Sequence, residues 1–331
     1  MEKTKIEELR MFIEERRLDR LLSNLKTVRI TIHRMALSGP YDYEQLKRAL
    51  GPMKINKEFK PNDRCPNYNT QAYLQIGRFR VIVFTNRKRE FYPRCIIEMS
   101  YPSVRFLLDL HKKLNKLNVS YVEYAVDLYF DKTPLIREHF ETLRRYISFP
   151  YQRSGWLLRD ISQDDVERMN ACYKTPKVIL YERGPDELKK TADGKACWRL
   201  ADCDRIRIEY WAGTKDLRAL EKDEDKKGEV CKLKSFIKNP RFGPMMAGRF
   251  RFYSFRSNPY GWPVKSDRYS ARDKNNHAGS FHNEYIQAAR RGVNARQYRE
   301  EVPELMGLLR EIKVRTKRFD KGWRLKYKKY L

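Results

Sequence analysis

Apolar positions recur along this chain with two periods, and the switches between them predict its elements. Over 3–24, Ile6, Leu9, Met11, Phe12, Leu18, Leu21 and Leu22 fall at spacings near three and four among many charges, which predicts an amphipathic helix. Over 27–35 the period changes to two. Val28, Ile30 and Ile32 oppose Arg29, Thr31 and His33, which predicts a strand closed by the turn signal Ser38-Gly39-Pro40. A short helix is expected over 43–50, a polar loop over 56–69, and a hairpin from the β-rich runs 71–76 and 78–85 around Gly77. Further strands are expected over 94–99, 120–130, 177–183 and 205–211, with helices over 100–117, 134–147 and 215–222. This order lacks a regular βαβ alternation. It predicts an α+β fold with a mainly antiparallel central sheet, helices on one face, and a basic C-terminal region. Three parts are expected: an N-terminal helix over 1–26, a body over 27–222, and a basic, aromatic-rich region over 223–331.

Charge changes the picture from fold to partner. The 331 residues carry 71 Lys and Arg against 43 Asp and Glu, a net charge of +28. With 41% apolar and 13% aromatic residues the chain has the material for a core and differs from a disordered polyelectrolyte. Such a surplus repels itself and suits a polyanionic partner, with nucleic acid the leading expectation. No run approaches the roughly 20 apolar residues of a bilayer span, so no membrane partner is expected. The first residues mix charged and apolar positions, unlike a secretion signal, and the expected location is cytoplasmic. The six cysteines form no CxxC pair and are expected as free thiols.

Candidate chemistry concentrates on three strands. Alternation over 120–130 puts Glu123, Ala125 and Asp127 on one face and Val122, Tyr124, Val126, Leu128 and Phe130 on the other. Acids on so apolar a strand need a cation or a basic partner. Oxygen ligands on rigid strands suit Mg²⁺ or Mn²⁺, and salt bridges are the competing explanation. On 205–211, Arg205, Arg207 and Glu209 share a face, so Glu209 can join a cation site or pair across strands. On 177–183, Lys177, Ile179, Tyr181 and Arg183 point one way. A phenol becomes a useful nucleophile when cations stabilise its phenolate, and Lys177 and Arg183 are spaced for that.

Taken in order, the segments Phe91-Tyr92-Pro93, Ser100-Tyr101-Pro102 after Glu98, Ser120-Tyr121-Val122-Glu123, Val178-Ile179-Leu180-Tyr181 and Ile206-Arg207-Ile208-Glu209 resemble the replication initiators of filamentous phages. More distantly they are similar to the rolling-circle initiators of small plasmids. The resemblance covers about residues 71–220. It implies that Tyr181 is a nicking nucleophile with Arg183 beside it, and that Glu123 and Glu209 are the acids of the first and last motifs. Tyr121 stands where that family commonly has Arg, and Glu123 where it has Asp. The implied reaction is a transesterification. Tyr181 attacks a phosphate beside a divalent cation (Mg²⁺ or Mn²⁺) held by Glu123, Asp127 and Glu209, leaving a 5′-phosphotyrosyl link and a free 3′-hydroxyl. The implied partners are single-stranded or locally melted origin DNA and, downstream, a host helicase and polymerase. No GxxxxGK[ST] loop is present, and none of the five histidines forms the His-x-His pair of histidine-bearing initiators.

Two other readings use the same residues. A non-enzymatic nucleic-acid-binding protein would rest on Arg249, Arg251, Arg256 and Trp262 within the aromatic-basic stretch 241–270, and on Arg318, Trp323 and Arg324 near the C-terminus, with Arg205 and Arg207 adding charge. A metal-dependent homing-type nuclease would rest on His277 and His282 in Asn275-Asn276-His277-Ala278-Gly279-Ser280-Phe281-His282-Asn283, activating water in place of a tyrosine.

Overall fold

The computed structural model describes residues 13, 15–57, 59, 66–76, 79–131, 135–148, 156–160, 166–171, 177–182, 189–190, 196–197, 205–223, 225, 227–247, 249–255 and 299–331. Helix α1 occupies 15–23. Then come β1 (Leu25–Gly39), α2 (Tyr43–Leu50), β2 (Lys54–Ile55), β3 (Tyr68–Ile76), β4 (Phe79–Arg87), β5 (Cys95–Ser100), α3 (Val104–Lys113), β6 (Asn118–Phe130) and α4 (Ile136–Tyr146). The chain continues through β7 (Ile147–Ser148), β8 (Trp156–Asp160), β9 (Val166–Ala171), β10 (Lys177–Glu182), β11 (Lys189–Lys190), β12 (Ala196–Cys197) and β13 (Arg205–Gly213). Helices α5 (Thr214–Ala219), α6 (Leu233–Lys238) and α7 (Phe242–Met246), strands β14 (Arg251–Phe255) and β15 (Arg299–Glu301), and helix α8 (Pro303–Tyr330) follow.

Local signals set these boundaries. Helix α2 starts where Asp42 accepts from the Gln45 N–H at 2.8 Å and Gln45 accepts in return from the Asp42 N–H at 3.0 Å. Helix α3 begins later than the expected residue 100. Tyr101 sits at a φ of 51°, and the Ser103 hydroxyl then caps the helix by accepting from the Phe106 N–H at 3.2 Å. The hairpin around Gly77 forms as the antiparallel pair β3–β4, with Ile76 opposite Phe79.

Ten strands are hydrogen-bonded in the order β2-β3-β4-β5-β1-β6-β13-β10-β9-β8. The pairs β2–β3, β3–β4, β4–β5, β1–β5, β8–β9 and β9–β10 are antiparallel. This is an α+β architecture built on a large antiparallel sheet.

The chain divides into two compact units, each drawing on three stretches. One comprises Met1–Arg29, Val126–Tyr210 and Met246–Arg315. In it, α4 covers the side of β6 that carries Phe130, whose ring lies 4.8 Å from that of His139, and Leu128, Phe140, Leu143, Ile206 and Ile208 are buried.

The other unit comprises Ile30–Ala125, Trp211–Met245 and Thr316–Leu331. There the Tyr124 ring packs edge-on against Phe242 at 5.0 Å, and Phe242 packs against Phe319 of α8 at 5.1 Å. The Tyr124 hydroxyl donates to the Pro240 carbonyl at 2.8 Å, which satisfies its one polar atom in the core. Asp320 accepts the N–H groups of Phe242 and Gly243, both at 2.9 Å, and so pins the start of α7 to α8. A Cβ at Gly243 would lie 3.2 Å from the Asp320 carboxylate, a contact tight enough that the carboxylate would have to shift by a few tenths of an ångström. Tyr124 in one unit and Phe130 in the other thus meet helices, and both are even-numbered positions of β6. The odd-numbered ones, including Glu123 and Asp127, face the other way.

Candidate metal centre and catalytic strand face

Glu123 and Asp127 are almost fully buried, at 2% and 1% exposure, and a buried carboxylate needs compensation. The two acids find it differently. Glu123 Oε2 lies 2.9 Å from His33 Nδ1, while its Oε1 accepts from the Tyr121 hydroxyl at 2.6 Å and from Arg34 Nη1 at 3.4 Å. Glu98 is also buried near this group. Burial pushes its carboxyl pKa up, Arg34 draws it back, and Glu123 adds to the rise.

Asp127 accepts from Arg207 twice, from Nε at 2.5 Å and Nη2 at 2.8 Å, in a bidentate pair. Arg207 Nη1 donates to Glu209 at 3.2 Å. Arg205 Nη1 donates to Tyr129 at 2.9 Å and reaches Asp127 at 3.4 Å. Arg207 has no exposed surface. Burial works against its charge, but Asp127, Tyr181 and Glu209 override that and hold its pKa well above the ordinary value. Tyr181, 3% exposed on β10, thus lies within the electrostatic reach of the Arg207 guanidinium.

Among the described residues one group has the makings of a metal site. His33 and Glu123, both buried within one unit, bring an imidazole nitrogen and a carboxylate oxygen together. These donors suit a divalent cation such as Mn²⁺, an imidazole nitrogen departing from the all-oxygen preference of Mg²⁺. The 2.9 Å between His33 Nδ1 and Glu123 Oε2 is also what two adjacent ligands show around an ion bound at about 2.1 Å.

The sequence expectation placed Asp127 in this set. The oxygens of Asp127 accept from Arg207. His33 replaces it. The strand 27–35 put His33 on the polar side of an alternating pattern, and nothing local distinguished it from Arg29 or Thr31.

Arg205 and Arg207 point inward onto Asp127. Arg249 lies with its guanidinium 4.4 Å over the Tyr210 ring, and Arg251 is half-buried on β14. Arg318 and Arg324 are exposed on α8, whereas Trp323 is buried and donates its indole N–H to the Ile237 carbonyl at 2.8 Å. Lys177 lies on β10 and its side chain is not described; Arg183, Arg256, Trp262, His277 and His282 lie outside the described residues. Cys95 and Cys231 are free thiols, and burial pushes Cys95 up to about 11.

No family model matches the chain, and no curated protein matches it. Among solved structures, the chain is similar to a rolling circle replication initiator protein from Geobacillus stearothermophilus. The TM-score is 0.41 with 10% sequence identity, over 79% of this chain and 96% of that one. A likeness of that size bears on neither chemistry nor substrate.

Proposed function

We propose that this protein is a divalent-metal-dependent DNA nickase that initiates rolling-circle replication in the cytoplasm, with the Tyr181 phenol as nucleophile. The observation that carries the reading is Tyr181 on β10, the strand paired with β13, which bears the buried guanidinium that holds Asp127 and Glu209. The ordered motifs from residue 91 to Glu209 and the +28 charge support it. His33 and Glu123 would hold the cation, and once bound it would draw electron density from the oxygens of a scissile phosphate.

The chain's own residues supply the rest. Tyr181 Oη forms a bond to phosphorus as the bond from phosphorus to the 3′-oxygen breaks. The phenol proton passes to solvent and the departing 3′-oxygen takes up a proton. Arg207 offsets the charge that develops on the phenolic oxygen. A 5′-phosphotyrosyl link and a 3′-hydroxyl result, the latter a primer for a host polymerase working with a helicase. Reversal of the attack rejoins the strand without ATP.

On this reading Arg318 and Arg324 of α8, with Lys321 and Lys328, meet DNA phosphates, together with Arg249, Arg251, Arg256 and Trp262. Affinity then falls steeply with salt as counterions are released. A binding protein without chemistry would show the same salt dependence and no covalent product.

The test uses end-labelled single-stranded fragments tiling the replicon that encodes the protein, incubated with Mn²⁺ and resolved on denaturing gels. A protein-linked fragment is expected, with peptide mapping placing it on Tyr181. Tyr181→Phe should lose the adduct and keep DNA binding; an undiminished adduct in that variant removes Tyr181 from the mechanism. A second reading has its own observation. Tyr121 is half-buried and its hydroxyl donates to Glu123 at 2.6 Å, an acceptor suited to take a phenol proton. An adduct mapped to Tyr121 would assign the nucleophile there.

A further inference from the structure

The turn between β5 and α3 and the last turns of α8 enclose a cavity of about 560 Å³ within one unit. Its volume lies in the range of small-ligand pockets. Four aromatic rings line it, those of Tyr101, Phe319, Trp323 and Tyr330, along with the cationic side chains of Arg105 and Lys326. No acidic side chain lines it among the described residues.

The back wall is fixed. Trp323 is held by its hydrogen bond to Ile237, and the Phe319 ring packs 5.6 Å from it. The rim is open: Tyr101 is 44% and Tyr330 38% exposed, and Arg105 and Lys326 are exposed. Exposed aromatic rings beside lysine and arginine are the two halves of a single-stranded nucleic-acid site, one stacking on bases and the other meeting phosphates.

Tyr101 connects this cavity to the metal group. Its ring lies 5.2 Å from that of His33, and its N–H donates to the His33 carbonyl at 2.8 Å. It is held at a φ of 51°, a conformation that a bulky residue rarely adopts. Such strain persists where surrounding structure enforces it, and it clusters at ligand sites. The strained turn presents a large apolar ring to solvent beside the buried His33–Glu123 pair.

We propose that this cavity holds an unpaired base of a single-stranded DNA against Tyr101 and Tyr330, with Arg105 and Lys326 on the flanking phosphates. It thereby sets which phosphodiester reaches the His33–Glu123 group. The inference deepens the nicking reading and rests on it for the choice of substrate.

The test measures fluorescence anisotropy of labelled dT10 and of an abasic 10-mer of equal charge, in buffer without divalent metal so that no chemistry is required. Tyr101→Gly removes the ring and suits the positive φ, so a loss of binding in it is not a loss of folding. It should weaken dT10 about five- to hundredfold and leave the abasic strand unchanged. Tyr101→Trp should restore dT10 binding. Lys326→Ala should weaken both strands alike and lower the slope of log affinity against log salt by about one.

Equal dT10 affinity in the wild type and Tyr101→Gly overturns the proposal, as does tighter binding of U10 than of dT10. The two readings fail separately. If the expected dT10 pattern appears but no covalent adduct forms with Mn²⁺, the nicking reading falls and the base site stands. If the adduct forms at the same position and rate in Tyr101→Gly, the base site falls and the nicking reading stands.

Discussion

Replacing Arg207 with methionine tests whether the charge buried in the first unit is held by a single cation. The substitution keeps most of the side-chain volume and removes the guanidinium that donates twice to Asp127 and once to Glu209. Two carboxylates of at most 3% exposure then lose their closest compensation. Breaking a buried ion pair from one side costs about 3–5 kcal/mol, because the remaining charge stays desolvated. At that size the melting temperature should fall by about 4–7 °C.

The pH dependence separates charge from packing. Without Arg207 the negative charge of two desolvated carboxylates is uncompensated, and protonation at low pH removes it, so the deficit shrinks as pH falls. The deficit should be largest at pH 8 and smaller at pH 5. Urea unfolding followed by tryptophan fluorescence at both values, against the wild type, gives the two numbers. A deficit below about 1 kcal/mol that is the same at both pH values would refute the reasoning, since it would leave only the change in packing. Asp127→Asn completes the argument. If Asp127 serves Arg207 and not a metal, calorimetric titration with Mn²⁺ should show unchanged affinity in that variant.

Further outcomes follow from the same geometry. Mn²⁺ at about 100 times its dissociation constant should stabilise the wild type by about 2.7 kcal/mol, and Glu123→Gln or His33→Ala should abolish the shift in a thermal melt. An equal shift in both variants would place the metal elsewhere. Glu98 has its pKa raised from 4.5, chiefly by burial, so its stabilising contribution is complete below 4.5 and is lost as pH rises through the folded value. Glu98→Gln should therefore raise the urea midpoint of the metal-free protein at pH 8 and leave it unchanged at pH 4. A lower midpoint at pH 8 would count against a charged Glu98 in this group.

Several features of this protein are local and follow from residue order alone. Period-two alternation assigned Glu123 and Asp127 to one face of β6 and Tyr124 and Phe130 to the other, because side-chain direction in a strand depends only on parity. Helix α2 was readable for the same reason, its capping residues lying three positions apart. Surplus charge pointed to a polyanionic partner before any contact was known.

What each buried group touches was decided only by the tertiary structure. Asp127 could have met a metal or an arginine, and the pairing with Arg207 depends on which strand lies beside β6 and in what register. Neither is encoded in the alternation of one strand. His33 joined Glu123 across 90 positions of sequence, a contact that no local pattern carries. Trp323 looked like a stacking residue in a basic tail, yet its indole found the Ile237 carbonyl and its ring turned into the core. A buried donor must be satisfied wherever an acceptor lies close in space, and that proximity exists only once the chain has folded.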